Sequence, residues 1–414
     1  MPYLILDPVG RYPQHLLHFL GGDLGKAAVA VFTGDARYLL WRDKWSAELG
    51  RFVVDVHRAS QWRTAAALAE HLRARHGGFD GVIPWDEQTV LLGARLGELL
   101  GLDWNPVHVM ERCRDKAVMK DWLRRRGGVR VNAGTTVTDA REALAFQRRV
   151  GRWPIVVKPT GGSGSEDVYF PEDDDALLRD CQRVLVAGAG EVLLEEFVGG
   201  HELIVNGVVD ARSDLLVTDV WLYDRRESHG IPNLFFQTLK VSRGEPVFTA
   251  VARYAADVVE ALGLRRCPIH LEVKVDARGP CLIEIGARFS GGNLPILASK
   301  LHGRSLLELA ACQYVADIPL RGGDLGFERY DRLAARVVHG VQPFEIPRIR
   351  AVHGADEVRA LPSFDEFGRL RPVGTRAPVT RDLDSAGWEL TLVHEDAAQV
   401  ARDAELARRL LRYE

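Results

Sequence analysis

The sequence predicts an α/β protein with a doubly wound parallel sheet at its N-terminal end and antiparallel strand pairs further on. Three observations carry this expectation. Short apolar runs alternate with helical periodicity over residues 1–108, the pattern of a largely parallel sheet. The runs HLEVKV (270–275) and CLIEI (281–285) flank the turn Asp276-Ala-Arg-Gly279 and read as neighbouring strands. A chain of 414 residues also exceeds one ordinary core, so about two to four subdomains are expected.

In order along the chain, the apolar runs at 3–6, 27–32 and 81–84 are strand candidates, and 89–100 repeats apolar residues at helical spacing. Segment 107–127 reads as one basic helix stopped by Gly127-Gly128. Its last turn, Arg124-Arg-Arg126, complements the helix dipole and reads as a solvated face rather than a nucleic-acid patch. Residues 128–198 form an α+β unit: a strand at 153–158, a Gly/Ser loop, a strand at 168–170, a helix from near Asp173, and a strand at 191–198. The acidic run 172–175 suits the positive end of that helix. Further strands, a long helix at 247–262 and the acidic strand pair follow. Short strands, turns and a last helix at 396–411 close the chain. The expected divisions are 1–108, a linking helix at 109–127, then 128–198, 199–330 and 331–414.

Hydrophobic content of 46% and charged content of 27% are those of a soluble globular protein. A net charge of −3 gives no general pull toward nucleic acid or an anionic membrane. Five scattered cysteines without a CxxC pair argue for reduced thiols, with neither a disulfide framework nor a zinc site. The first residues lack the basic and apolar regions of a secretory signal, and no apolar run reaches membrane-span length. The expectation is a cytoplasmic protein.

Glu272 and Glu284 alternate with apolar neighbours, so both carboxylates can leave one sheet face close together. Arg288 follows four residues after Glu284, ahead of a Gly-Gly-Asn turn. Two carboxylates and a guanidinium suit a hard cation bridging phosphates; a surface ion-pair cluster explains them equally well. The loop Gly161-Gly-Ser-Gly-Ser165 (Gly161, Gly162, Ser163, Gly164, Ser165) follows the strand carrying Lys158 and can surround phosphate oxygens with backbone N–H groups. It is not a Walker A loop, and a hairpin turn accounts for it as readily. Lys116 and Lys158 upstream can neutralise a polyphosphate. The doublet Glu195-Glu196 downstream can hydrogen-bond an adenine edge and ribose.

The order of these pieces resembles the ATP-grasp superfamily. The matching pieces are Arg114-Asp-Lys116, Pro154-Ile-Val-Val-Lys-Pro159 with its Gly/Ser loop, and Glu195-Glu-Phe-Val-Gly-Gly-His-Glu202. His270-x-Glu272 and Glu284-x-x-x-Arg288 complete the set. The resemblance covers roughly residues 80–320 and implies an ATP-grasp fold with a mobile lid at 128–198, an antiparallel catalytic core and a small C-terminal subdomain. It implies ATP and Mg2+ as cofactors, with Mn2+ as an alternative ion. Lys116 and Lys158 would meet the phosphates, and Glu195 would accept from the adenine amino group. Phe197 and Val198 would offer backbone groups to the ring, and Glu202 would take the ribose. Glu272 and Glu284 would hold the metal, and Arg288 would steady the phosphoryl oxygens. The frequent family pattern Glu-Ile-Asn-Pro-Arg is here Glu284-Ile-Gly-Ala-Arg288, which puts a second metal in doubt.

Within the superfamily, 287–293 most resembles the L-amino-acid ligases, and 373–375 and 387–394 fit their closing subdomain. The implied chemistry is phosphorylation of a carboxylate to an acylphosphate, followed by displacement of phosphate by an amine. Gly291, Gly292 and Asn293 would then border the substrate pocket, either as a roomy wall or only as turn geometry. Segment 224–233 resembles a substrate-facing loop, making Glu227 and His229 candidates for holding an amino group or taking its proton, with Arg226 at a displaced acidic position. His270 can face the same cleft or act as a supporting partner. Glu87, after a strand end, is a substrate-side candidate, because ligand crevices lie outside strand carboxyl ends. The partners implied are a small-molecule carboxylate donor and amine acceptor, free or on a carrier protein, and a homodimer by family analogy. A bicarbonate- or formate-activating enzyme and a non-catalytic nucleotide-binding module are the alternatives.

Overall fold

The computed structural model describes residues 1–160, 167–315, 323 and 325–414. Strands β1 (Tyr3–Leu6), β2 (Ala28–Phe32), β3 (Val53–Arg58) and β4 (Val82–Ile83) form a sheet ordered β3-β2-β1-β4. Every pairing in it is parallel, as strand–helix alternation requires. Strands β1 and β2 are buried along their whole length and read as unbroken apolar runs, as strands covered on both faces do.

Strands β5 (Gly134–Val137), β6 (Ile155–Lys158) and β7 (Val192–Glu196) make a separate antiparallel sheet ordered β5-β7-β6. Helices Glu142–Val150 and Asp174–Val184 supply Phe146, Leu177 and Cys181 to a core of its own under this sheet. Asp173 caps the second of them, accepting from the Ala176 N–H at 2.7 Å. The expected strand at 168–170 is reduced to a single bridge between Val157 and Tyr169.

The largest sheet is built from β8 (His201–Val209), β9 (Leu215–Ser228), β10 (Ile231–Lys240), β11 (Cys267–Asp276), β12 (Gly279–Gly286) and β13 (Ala334–His339). Beyond the short β14 (Val352–His353), β15 (Phe364–Leu370) and β16 (Trp388–His394) complete it, and β17 (Arg412–Tyr413) pairs with β14. Its order is β12-β11-β8-β9-β10-β13-β16-β15, antiparallel throughout. The C-terminal region therefore extends the central sheet rather than standing apart, although Val338, Leu390, Val400 and Ala404 close a small core beneath helix Ala397–Leu410. One continuous core joins the parallel sheet to the large one, from Tyr3 to Val337.

Two local expectations are corrected. Segment 107–127 is two helices, Val107–Arg114 and Lys116–Arg126. Asp115 between them is extended and accepts from the N–H groups of Ala117 and Val118, ending one helix and capping the next. Segment 224–233 is no loop: β9 and β10 run through it as a hairpin, with His229 and Gly230 at positive φ in its two-residue turn. No helix among the described residues is long and apolar enough to cross a membrane.

Candidate active site

Glu272 on β11 and Glu284 on β12 are direct cross-strand partners, so their side chains leave the same face of the sheet. Two adjoining cavities share them both, together with Phe235. The first runs under the three-stranded sheet and is lined by Lys116, Lys158, Glu195, Phe197, Glu202 and Lys274, among others. The second, about 710 Å³, opens between the parallel sheet and the large sheet. Arg11, Tyr12, Glu87, His270, Arg288 and the turn at Gly291, Gly292 and Asn293 border it.

The break at Asp115 sets Lys116 on the first turn of its helix, where its Nζ lies 2.8 Å from Glu284. Burial alone would push the Lys116 pKa down, but Glu284 at contact and Glu272 nearby hold it above its ordinary value. Glu272 is likewise buried. The His270 hydrogen bond, together with His270, Arg225 and Lys116 as charges, outweighs that burial and keeps its carboxyl well below the usual range. His270 turns its Nε2 toward Glu272 at 3.5 Å, while its Nδ1 is 3.0 Å from the Asn206 side-chain oxygen. His270 therefore orients a carboxylate from beside the cavity, the supporting geometry expected of a residue behind a metal ligand. Two carboxylates facing each other, with cations around them, form an oxygen-donor set fitted to a hard divalent ion.

Behind β6 and β7 a buried charge cluster stands. Glu195 accepts from Lys120 at 2.5 Å through one oxygen and from Lys158 at 2.8 Å through the other. Lys120 also donates to Asn132 at 2.8 Å. Burial would raise the Glu195 pKa, yet the two ammonium groups bring it down to about 2. The carboxylate that the resemblance directs at an adenine amino group is thus shared by two lysines. A buried charge must be paired, and this pairing leaves two cations on one anion at the cavity wall. Glu196 is turned outward to Arg152 and Arg278, while its carbonyl accepts from Asn132 at 2.8 Å. Glu202 meets Arg225 at 2.6 Å, and Arg225 stacks over Phe235 at 3.8 Å. Phe197 and Val198 line the same cavity, with the Lys274 ammonium 4.9 Å from the Phe197 ring centre.

Across the second cavity Arg288 donates to Glu87 at 2.5 Å, and Arg114 reaches the other Glu87 oxygen at 2.7 Å. The Tyr12 hydroxyl donates to the carbonyls of Ser290 and Gly292, and Arg11 donates to Asn293 at 3.0 Å. The first turn of helix Arg11–Leu17 thereby pins the glycine turn. Gly291 has open space where a Cβ would stand, and Gly292 has a φ of +65°, so turn geometry accounts for the second glycine and leaves the first unconstrained.

The hairpin candidates fall elsewhere. Arg226 is held by Asp224 at 2.8 Å and stacks on Phe236, and His229 turns its Nε2 to the Thr380 carbonyl at 3.0 Å. Neither these two nor Glu227 lines either cavity: alternation turns Arg226 away from the face that carries Arg225, while Glu227 and His229 sit at the far end of the hairpin, by its turn. The glycine–serine positions Gly161, Gly162, Ser163, Gly164 and Ser165 lie outside the described residues. Sequence reasoning missed Lys120, Asn132, Tyr12 and Arg11. Only Lys120 left a signal, lying four residues after Lys116 on one helix face.

Residues 151–295 match the ATP-grasp domain family. The whole chain superposes on the crystal structure of an L-amino acid ligase from Bacillus licheniformis with a TM-score of 0.76 at 18% identity, covering 100% of this chain and 99% of that one. Dapdiamide A synthase of Enterobacter agglomerans is 28% identical over 240 residues, 56% of this chain and 55% of the relative. Alanine–anticapsin ligase of Bacillus subtilis (strain 168) is 25% identical over 258 residues, 56% and 53% of the two chains. The matching segments thus span about half the length of these curated relatives. The chain has the ATP-grasp fold and carries an ATP-grasp domain over the matched residues.

Proposed function

We propose that the protein is an ATP-dependent carboxylate–amine ligase that joins amino acids, or an amino acid to a related specialised metabolite. The observation that carries the reading is the position of Glu272 and Glu284. They stand opposite each other on the shared wall of two cavities, so one ion held there would face a nucleotide on one side and a carboxylate on the other. Relatives named as ligases of amino acids support the same class.

In this reading ATP lies in the first cavity, with Phe170, Phe197 and Val198 against the base and Lys116 and Lys158 toward the phosphates. Glu272 and Glu284 would hold Mg2+, or Mn2+ in its place, which supplies charge neutralisation during phosphoryl transfer. The donor carboxylate enters the second cavity, where Arg288, fixed by Glu87, sits beside the metal carboxylates and stabilises charge on the transferred group. Attack by a carboxylate oxygen on the γ-phosphorus breaks the bond to ADP and yields an acylphosphate. An amine then adds to the acyl carbon and expels phosphate, while its proton passes to solvent or a neighbouring base. A volume of about 710 Å³ lies within the range of small-molecule sites and accommodates two amino acids together. We also place the protein in the cytoplasm, where its five buried free thiols would stay reduced.

The test is a phosphate-release screen over all pairs of amino acids, with mass spectrometry of the products. Pair-dependent ADP and phosphate with a condensed product supports the ligase. Turnover with bicarbonate or formate alone, or nucleotide binding without any turnover, overturns it.

A further inference from the structure

Away from both cavities, the parallel sheet carries a second cluster of ligating groups. Asp55 and His57 sit two residues apart on the edge strand β3, and therefore on the same face. Helix Ala65–His76 brings His76, its last residue, against them. The Nε2 atoms of His57 and His76 each lie 3.2 Å from the same Asp55 carboxylate oxygen. All three potential donor atoms fall within 4.8 Å of one another. His57 is only 6% exposed, and the buried Nε2 atoms of both histidines lack a hydrogen-bond partner despite that proximity. Buried polar nitrogens left this way are rare, because each forfeits its interaction with water and gains none in return.

We infer that Asp55, His57 and His76 form a binding site for a divalent transition metal of the zinc class. Two imidazole nitrogens and one carboxylate oxygen are the donor types such ions take. The spacing fits as well. Donors about 2.0–2.1 Å from a tetrahedral ion stand about 3.3 Å apart, against 3.2 Å for the two histidine–aspartate separations. An ion at their centre would satisfy both stranded nitrogens at once. Solvent or His71, whose ring centre lies 5.2 Å from that of His57, would complete the shell. Arg75 competes for the site, since its guanidinium pairs with the same Asp55 oxygen. At 58% side-chain exposure it can swing away into water. The site departs from the expectation of no zinc site, which rested on the cysteines alone; their spacing says nothing of a site built from histidine and carboxylate. Bound metal would tie the sheet's edge strand to the end of a helix, a structural role independent of the ligase chemistry.

The full-length protein, stripped with a chelator and dialysed against Zn2+, is expected to retain about one equivalent per chain. Co2+ should give the intense visible absorption of a four-coordinate ion, and the melting temperature should rise with Zn2+ concentration. His57→Asn and His76→Gln should each remove the bound zinc and the cobalt spectrum, with nucleotide-dependent turnover retained. Glu284→Ala should leave zinc binding intact, separating this site from the cleft. Arg75→Ala removes the competing cation without touching a ligand and should tighten zinc binding. Failure of the stripped wild type to take up zinc, or equal uptake by the His57 and His76 variants, overturns the site. So does weaker zinc binding in Arg75→Ala.

Discussion

Glu284 touches more of the proposed chemistry than any other side chain, because it meets Lys116 directly and faces Glu272 across the strand pair. Glu284→Ala should lower ADP formation by about 10²–10³-fold or more while far-UV circular dichroism and the melting profile stay native-like. Retained turnover would refute the metal assignment. His229 gives the opposite expectation. Its ring is tied to the Thr380 carbonyl at the hairpin turn, so His229→Ala should leave kcat and KM for both substrates unchanged; a large fall in kcat would mean the turn reaches the cleft during turnover. The contrast shows which residues the sequence made legible. Glu272, Glu284 and Arg288 could be placed because strand alternation and a short turn fix their relative positions within one hairpin. Glu227 and His229 could not, since the sequence does not show how far along the hairpin the cavity reaches, and both lie beside its turn, beyond either cavity. Lys120 and Asn132 come from separate elements and meet Glu195 only through tertiary packing.

At the scale of elements, the sequence marks helix Pro246–Leu262 and strands β1, β2 and β4, where pattern and burial agree, but not the edge strand β3, which is only partly buried and carries polar residues along it. The break at Asp115 was hidden inside a continuous helical pattern, although aspartate is a preferred cap. The three-stranded unit tests how far an element group stands alone. Its core is separate from the continuous one, with Phe146 at 2% exposure among Leu177, Val184 and Leu194. Phe146→Ala should cost about 3–5 kcal/mol within that unit. Hydrogen exchange followed by mass spectrometry should quicken in peptides from 134–196 and stay unchanged in the parallel sheet. Equal acceleration in both would show that the unit unfolds only with the whole chain. The same separation suits a lid over a nucleotide, since a body with its own core can move without disturbing the wall that carries Glu272 and Glu284.

At the scale of the whole molecule, the cleft joins three packed bodies, so buried charge at their junction links stability to pH. Glu195 is the clearest case: burial works against its ionised form, but Lys120 and Lys158 prevail and set its pKa near 2, below its ordinary 4.5. A carboxyl depressed on folding stabilises the native state fully above its unfolded value and loses that contribution as pH falls toward the folded value. The Glu195 contribution should therefore be intact at neutral pH and fade between about pH 4.5 and about pH 2, amounting to about 3 kcal/mol. Urea unfolding of the wild type and of Glu195→Gln at a series of pH values isolates it, because other depressed carboxyls such as Asp276 act equally in both. The variant should be the less stable protein at neutral pH, since it leaves two buried ammonium groups without their counter-ion, and the gap should narrow steadily on acidification. A gap that stays constant across that window would mean Glu195 keeps its charge in neither state or in both. The proposed function offers a second reading of the same linkage: on it, ATP phosphates approaching Lys158 would bring new negative charge to the two lysines. Added nucleotide should therefore raise the stability of the variant by more than that of the wild type.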